Sequence, residues 1–80
     1  MPRYFFDCRD GPELIRDQEG IELRDLNEAR NEATRGLADL SKDVIPGSER
    51  RELAIEVRHA HNHPLLRAAL WFEVAVLAGS

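Results

Sequence analysis

"RDGPELIRDQEGIELRDLNEA", Arg9 to Ala29, is a stretch with seven acidic side chains and two glycines in 21 residues. Its acidity first suggests a loop that binds a cation. An EF-hand calcium loop needs regularly spaced oxygen ligands, a glycine at position 6 and a helix on each side. Counted from Asp17, the glycine falls at position 4, and a strand pattern precedes it. The stretch therefore predicts turns and the start of a helix.

A tight hairpin turn is predicted at Asp10-Gly11. Aspartate tolerates, and glycine readily adopts, the positive φ that such a turn requires. In this register Arg9 pairs with Pro12 and Phe6 with Ile15. Because proline donates no backbone hydrogen bond, the second strand is expected to be short or to lie at an edge of the sheet.

The helix is predicted to start at Asp25, after a turn at Gly20 and an extended lead-in over 21–23. Asp25 and Glu28 have the spacing of an N-cap and its N3 partner, and their charge suits the positive end of the helix dipole. Apolar residues then recur at steps of three and four, which places them on one stripe: Leu26, Ala29, Ala33, Leu37, Leu40 and Val44. An amphipathic helix is expected over about 26–44, before Pro46-Gly47.

Four segments are expected to form strands, over about 3–9, 13–17, 51–58 and 65–76. The segments "RYFFDC" and "ELAIEVR" alternate with the period of two that half-buried strands show, and so does "LLRAALWFEVAVL". A loop of four residues at 60–63 would place Glu56 opposite Arg67, whereas a two-residue turn would oppose like charges. The longer loop is therefore expected.

The fold class that follows is α+β, with the element order β-β-α-β-β in a single domain over 1–80. A four-stranded antiparallel sheet would carry the amphipathic helix on one face, which satisfies the need for two packed layers.

Composition narrows the function classes. The 42% of apolar and 32% of charged residues are ordinary for a folded domain. A net charge of −4 disfavours nucleic acid as a partner. The single cysteine, Cys8, and an N-terminus without a signal-peptide pattern predict a cytoplasmic protein. The most apolar run, 68–78, is shorter than the about 20 residues of a membrane span, so no membrane association is expected.

The chain resembles a family of short alphaproteobacterial proteins, about 70–100 residues long, that is classed as a domain of unknown function. The residues that carry the resemblance are "RYFFDCRDG", "IRDQEGIELRDLNEAR" and "RELAIEVR", which are strand and turn signatures. The resemblance implies a compact fold over nearly the whole chain, and it implies no activity.

Few residues suggest chemistry. No glycine-rich phosphate loop or serine elbow occurs, so no enzyme activity and no cofactor are expected. His59, His61 and His63 alternate, and a His-x-His pair on a strand can bind zinc. They straddle a predicted loop, however, and solvated histidines are the expected interpretation. Cys8 lies on the inward side of its strand and is expected to be a small buried residue.

The sheet face opposite the helix is the main candidate site. It would expose aromatic and aliphatic residues among charges, as interaction surfaces do: Phe5, Arg16, Leu65, Arg67 and Trp71. A run as apolar as "ALWFEVAVL" would cause aggregation at an open edge, so we expect an inner strand or one covered by a second copy.

The leading hypothesis is a non-catalytic module that binds an unknown protein or self-associates as a homodimer through this face or a strand edge. The alternative is a regulatory protein associated with nucleic acid, with Phe5 and Trp71 as stacking surfaces. The third is a weak zinc site at His59 and His61.

Overall fold

The computed structural model describes residues 1–79. It contains one helix and one antiparallel sheet, which confirms the α+β class. The sheet order is β2-β1-β4-β5, and β3 also pairs with β1. The elements in chain order are β1 (Arg3–Asp10), β2 (Glu13–Ile15), β3 (Ile21–Glu22), α1 (Leu26–Val44), β4 (Arg50–Arg58) and β5 (Leu66–Glu73).

The predicted count of four strands is wrong, because the sheet has five. The lead-in to the helix forms β3, in which Ile21 pairs with Tyr4 and Glu22 with Arg3. The Leu23 N–H extends this pairing by donating to the Pro2 carbonyl at 3.0 Å. The element order is therefore β-β-β-α-β-β, and two residues were too few to show a strand period in the sequence.

The predicted register of the first hairpin is also wrong. Asp10 pairs with Glu13, and Ile15 faces Cys8 instead of Phe6. The tip is therefore the glycine-proline pair, in which the glycine has a φ of +59°. A glycine at the first central position followed by a residue of negative φ fits a type II′ turn, and proline has that negative φ built in. The strand after the proline is short, as expected.

The register of the second hairpin is confirmed. Glu56 pairs with Arg67 across β4 and β5, and at the other end of the strands Arg50 pairs with Glu73. An Arg50 Nη2 to Glu73 Oε1 distance of 2.8 Å shows that these last two side chains also form an ion pair. Opposite charges on facing positions therefore indicated the correct loop length.

Helix α1 occupies the range expected from its cap and its apolar stripe. The Glu28 N–H donates to Asp25 Oδ1 at 2.9 Å, so the aspartate caps the first turn. The helix packs across β4 and β5 and forms the core with them. Its small residues let the helix approach the sheet closely. The buried apolar residues of the helix and of β4 on this side are Ala29, Ala33, Leu37, Leu53, Ile55 and Val57. In the described part of the chain, no helix combines the length and apolar character needed to cross a membrane.

The sheet has two unlike faces. The core face lies under α1, and the face on the other side, here called the open face, carries no helix within residues 1–79. Because side chains alternate along a strand, the open face receives Phe5 and Asp7 from β1, Arg58 from β4, and Arg67 and Trp71 from β5.

Gly20 provides a test of how closely the chain before β3 packs against β1. Its φ is +71°, and a Cβ atom there would lie 2.9 Å from Arg3 Cγ and 3.0 Å from the Tyr4 carbonyl oxygen. We expect Gly20→Ala to lower the free energy of unfolding by about 2–4 kcal/mol, because backbone strain and overpacking add. Gly11→Ala is the control, since its φ is also positive but nothing lies within 4 Å. Urea unfolding measures both variants, and an equal loss would contradict the packing explanation.

Candidate functional site

A buried ion pair, which the sequence analysis did not predict, lies on the open face. Asp7 and Arg58 are each only 5% exposed. Arg58 Nε donates to Asp7 Oδ2 at 2.7 Å, and Arg58 Nη2 donates to Asp7 Oδ1 at 3.1 Å. The same guanidinium donates to the carbonyl oxygens of Asp17, His59 and Ala60. The loops on either side therefore fold over this end of the open face and bury the pair.

Asp17 completes the network, here called the Asp7–Arg58 network. Its backbone N–H donates to Asp7 Oδ1 at 3.0 Å, and its Oδ2 accepts from the Phe6 N–H at 3.1 Å. Its Oδ1 accepts from the backbone N–H groups of Glu19 and Gly20. The Asp17 carboxylate thus accepts the hydrogen bond that a neighbouring strand would otherwise accept from β1. It does so in the gap between the end of β2 and the start of β3.

The pKa values agree with a structural role for these carboxylates. Burial raises the pKa of Asp7, but hydrogen bonds from Arg58 and the Asp17 N–H outweigh burial and hold it below its usual value. Burial likewise raises the pKa of Asp17, and three backbone N–H donors more than offset it. Every buried side-chain nitrogen or oxygen within residues 1–79 has a hydrogen-bond partner. The network therefore has no spare group aimed at a ligand.

The other end of the open face is bare. Glu56 Oε1 lies 3.0 Å from Arg9 Nε, and Glu56 Oε2 lies 3.5 Å from Arg67 Nε, so one carboxylate joins two arginines. Beside them a shallow groove of about 310 Å³ is lined by both arginines and by Trp71. The Trp71 side chain is 63% exposed, which makes it the most prominent apolar feature of this end.

The five residues predicted as one interaction surface fall into separate places. Phe5 and Arg16 line a groove of about 270 Å³ at the loop-covered end, while Arg67 and Trp71 line the groove at the bare end. Leu65 is exposed just before β5, and neither groove includes it.

Phe5 and Trp71 do not form a common patch. Their cross-strand partners on β4 are Arg58 and Glu52 respectively, and six residues of strand separate those partners by about 20 Å. Phe5 is also half-buried, because the Arg58 guanidinium carbon lies 4.9 Å from the centre of its ring. The aromatic surface expected from the alternation of both strands is therefore divided.

The histidines are likewise dispersed. The His59 ring packs on Tyr4 with their centroids 5.0 Å apart, whereas His61 and His63 are exposed. Over the described range 1–79, no group of three or more His, Cys, Asp or Glu residues is placed to hold a metal ion. The weak candidates His59 and His61 thus lack a third ligand among the described residues.

The thiol of Cys8 is half-buried. Burial and the nearby carboxylates of Asp7 and Asp17 raise its pKa. A raised pKa keeps a thiol protonated and therefore unreactive at neutral pH. The structure gives Cys8 the packing role expected for it.

The outer edge of β5 is unpaired. The Val74 N–H donates to the Glu49 carbonyl at 2.8 Å, which continues the β4–β5 register by one residue. Because backbone direction alternates along a strand, even-numbered residues of β5 bond to β4 and odd-numbered residues face outward. The outward N–H and C=O groups belong to Arg67, Ala69, Trp71 and Glu73. No other strand within residues 1–79 pairs with them.

The opposite edge of the sheet is protected. It consists of β2 and β3, which have three and two residues, with the Asp17 loop between them and Pro12 at its start. Short, interrupted edge strands with proline and charge are poor templates for another strand. The two edges therefore differ sharply in their capacity to pair.

A family model described as Domain of unknown function (DUF6894) matches residues 3–71. The chain belongs to this family. The match runs from the first residue of β1 to Trp71, so it includes β1 to β4, the helix and most of β5, and it confirms the expected assignment to a family of unknown function. Comparisons with curated proteins and with solved structures found no match.

Sequence reasoning missed the central network of this DUF6894 domain. Asp7 and Arg58 are 51 residues apart in sequence, and they meet only because β1 pairs with β4. Their opposite charges, both on the open face, could have indicated the ion pair. That prediction would have required knowing beforehand that β1 pairs with β4.

The Asp7–Arg58 network should dominate the stability of the domain. Asp7→Asn would leave a buried arginine without its counter-charge, and we expect it to lower the free energy of unfolding by about 3–5 kcal/mol. Glu22→Gln is the control, because its pair with Arg3 is exposed and worth no more than about 1 kcal/mol. Urea unfolding at pH 7 measures both, and similar losses in the two variants would contradict the assigned role.

Acid should weaken the same network. The pKa values of Asp7 and Asp17 are lower in the folded state than in the unfolded chain. Their contribution is therefore complete above the unfolded value of about 4 and is lost as the pH falls through the folded values. Asp17→Asn removes the carboxylate that would take up a proton at this site, so its stability should fall less between pH 5 and pH 3 than that of the wild type. Urea unfolding at both pH values tests this, and parallel losses would contradict it.

Proposed function

We propose that this DUF6894 domain is a small non-catalytic binding module of the bacterial cytoplasm, which self-associates through the free edge of β5 and the adjoining open face. The observation that carries the proposal is the unpaired outer edge of an eight-residue, largely apolar strand. The family description states no activity, so the proposal depends on the geometry of this edge.

The composition of β5 supports pairing with another strand. Natural proteins protect their edge strands with proline, bulges, short length or charge, because an exposed edge is a template for further strands. β5 contains no proline, and its only charged residues, Arg67 and Glu73, lie near its two ends. The sequence analysis predicted that so apolar a strand is either internal or covered by a second copy, because it would otherwise cause aggregation. Since β5 lies at the edge of the sheet, covering by a second copy is the remaining alternative.

The buried polar groups support a non-catalytic role. Asp7 and Arg58 use their hydrogen-bonding capacity on each other and on the backbone. The pKa of the Cys8 thiol is raised, which disfavours a nucleophile. Perturbed groups at an active site usually face a cleft where a substrate can reach them. Asp7 and Arg58 do border a groove of about 300 Å³, but each residue is only 5% exposed and its buried polar atoms already have partners.

The nucleic-acid alternative receives less support. It required Phe5 and Trp71 as neighbouring stacking surfaces, but the two rings lie at different ends of the sheet, and Arg58 covers Phe5. The net charge of −4 also opposes binding to a phosphate backbone. The weak zinc site remains an unsupported proposal because His61 and His63 are exposed and separate from the Tyr4–His59 contact.

Self-association should depend on concentration and on the outward N–H groups of β5. Sedimentation of the wild type is expected to show a dimer, and the emission of Trp71, the sole tryptophan, should shift to shorter wavelength as the dimer forms. Ala69→Pro removes one outward N–H while leaving the bonds to β4, so it should give a folded monomer.

Ala69→Ser is the matched control, because it keeps both the N–H and the small side chain and should remain dimeric. Circular dichroism and thermal unfolding verify that each variant folds. A wild type that stays monomeric up to high concentration, with Trp71 emission typical of a water-exposed indole, would refute the proposal.

A further inference from the structure

We propose that the partner at β5 is a second copy of this chain, paired antiparallel about a two-fold axis at Leu70, so that Arg67 of each copy faces Glu73 of the other. The inference rests on the proposed function and adds the orientation of the two copies and the register of their contact. It uses the direction of the backbone groups, the positions of the charges and the sizes of the side chains along β5.

Backbone direction restricts the register first. Only the odd-numbered residues of β5 present their N–H and C=O groups at the free edge. In an antiparallel pair, residues that exchange hydrogen bonds must both point at the partner strand. An odd-numbered residue of one copy must therefore face an odd-numbered residue of the other. The symmetric registers nearest the middle of β5 are those centred on Ala69, Leu70 and Trp71.

Charge then selects among these three registers. Centring on Ala69 would place Glu73 opposite Leu65, and centring on Trp71 would place Glu73 opposite Ala69. Only the register centred on Leu70 sets Glu73 opposite an arginine, Arg67, and the two-fold axis creates this pair twice. Opposite charges on facing positions stabilise a strand pair, as they already do between β4 and β5.

Side-chain size agrees with the same choice. On the open face, Trp71 of one copy faces Ala69 of the other, so a large side chain meets a small one. On the core face, Phe72 faces Ala68 in the same way, and Leu70 meets its own copy at the axis. All four outward residues of each strand find partners, which gives about eight backbone hydrogen bonds across the interface.

The ion pairs within each copy extend this arrangement. Glu73 already lies 2.8 Å from Arg50, and Arg67 lies 3.5 Å from Glu56. Pairing at Leu70 would insert each Glu73 between Arg50 of its own copy and Arg67 of the other. Signs then alternate from Glu56 to Arg67 of one copy and on to Glu73 and Arg50 of the other, so the contact itself opposes no like charges.

Two charge reversals test the register. In Arg67→Glu, both facing pairs of the dimer become Glu with Glu, and in Glu73→Arg both become Arg with Arg. Each variant alone should self-associate about tenfold or more weakly than the wild type, because two attractive pairs become repulsive. An equimolar mixture of the two variants restores an opposite-charge pair at both sites, so it should form a heterodimer with nearly wild-type affinity.

Arg35→Glu and Asp39→Arg are the matched controls, since they change the net charge equally on exposed positions of α1. They should leave self-association unchanged alone and when mixed. Sedimentation of each variant and mixture gives the dissociation constants, and thermal unfolding shows whether each monomer is intact.

The outcomes separate the register from the proposed function. Weak association of both single variants and its recovery on mixing would support pairing at Leu70. A wild-type dimer that both reversals leave intact, or that they weaken without recovery on mixing, would overturn the register while self-association stands. A monomeric wild type would overturn both.

Discussion

The buried contact between Asp7 and Arg58 is the interaction on which the rest of the sheet depends. Removing two charges from water is costly, and such a pair is stable only when nearly every donor and acceptor finds a partner. Here the partners come from β1, β4, the loop before β3 and the loop before β5. One guanidinium therefore sets the positions of four segments that are distant in sequence.

This contact also divides the open face into two regions. Where the loops close over Arg58, side chains are committed to internal hydrogen bonds, and even Phe5 serves as a surface for the guanidinium. Beyond Glu56 none of the described loops covers the sheet, and Trp71 lies beside Arg67 in solvent. The capacity to bind is thus concentrated at the end and edge that the network does not reach.

The parts of the fold that depend on neighbouring residues were predictable from the sequence. The cap at Asp25 and the apolar stripe predicted α1, and facing charges predicted the β4–β5 register. The errors have physical causes: a two-residue strand has no measurable period, and proline shifted the first turn by its fixed φ. The candidate site was predicted as one aromatic patch because alternation assigns a face, whereas the distance along that face depends on strand pairing.

The interrupted edge formed by β2, Asp17 and β3 has a consequence for stoichiometry. A sheet that could grow from both edges would add copies without limit and form a fibre. In this domain the Phe6 N–H already donates to the Asp17 carboxylate, so it is not available to a further strand. Two copies joined through β5 would therefore present only interrupted edges to solvent. Strand pairing would therefore stop at two copies, and a concentrated solution would contain dimers and no longer assemblies.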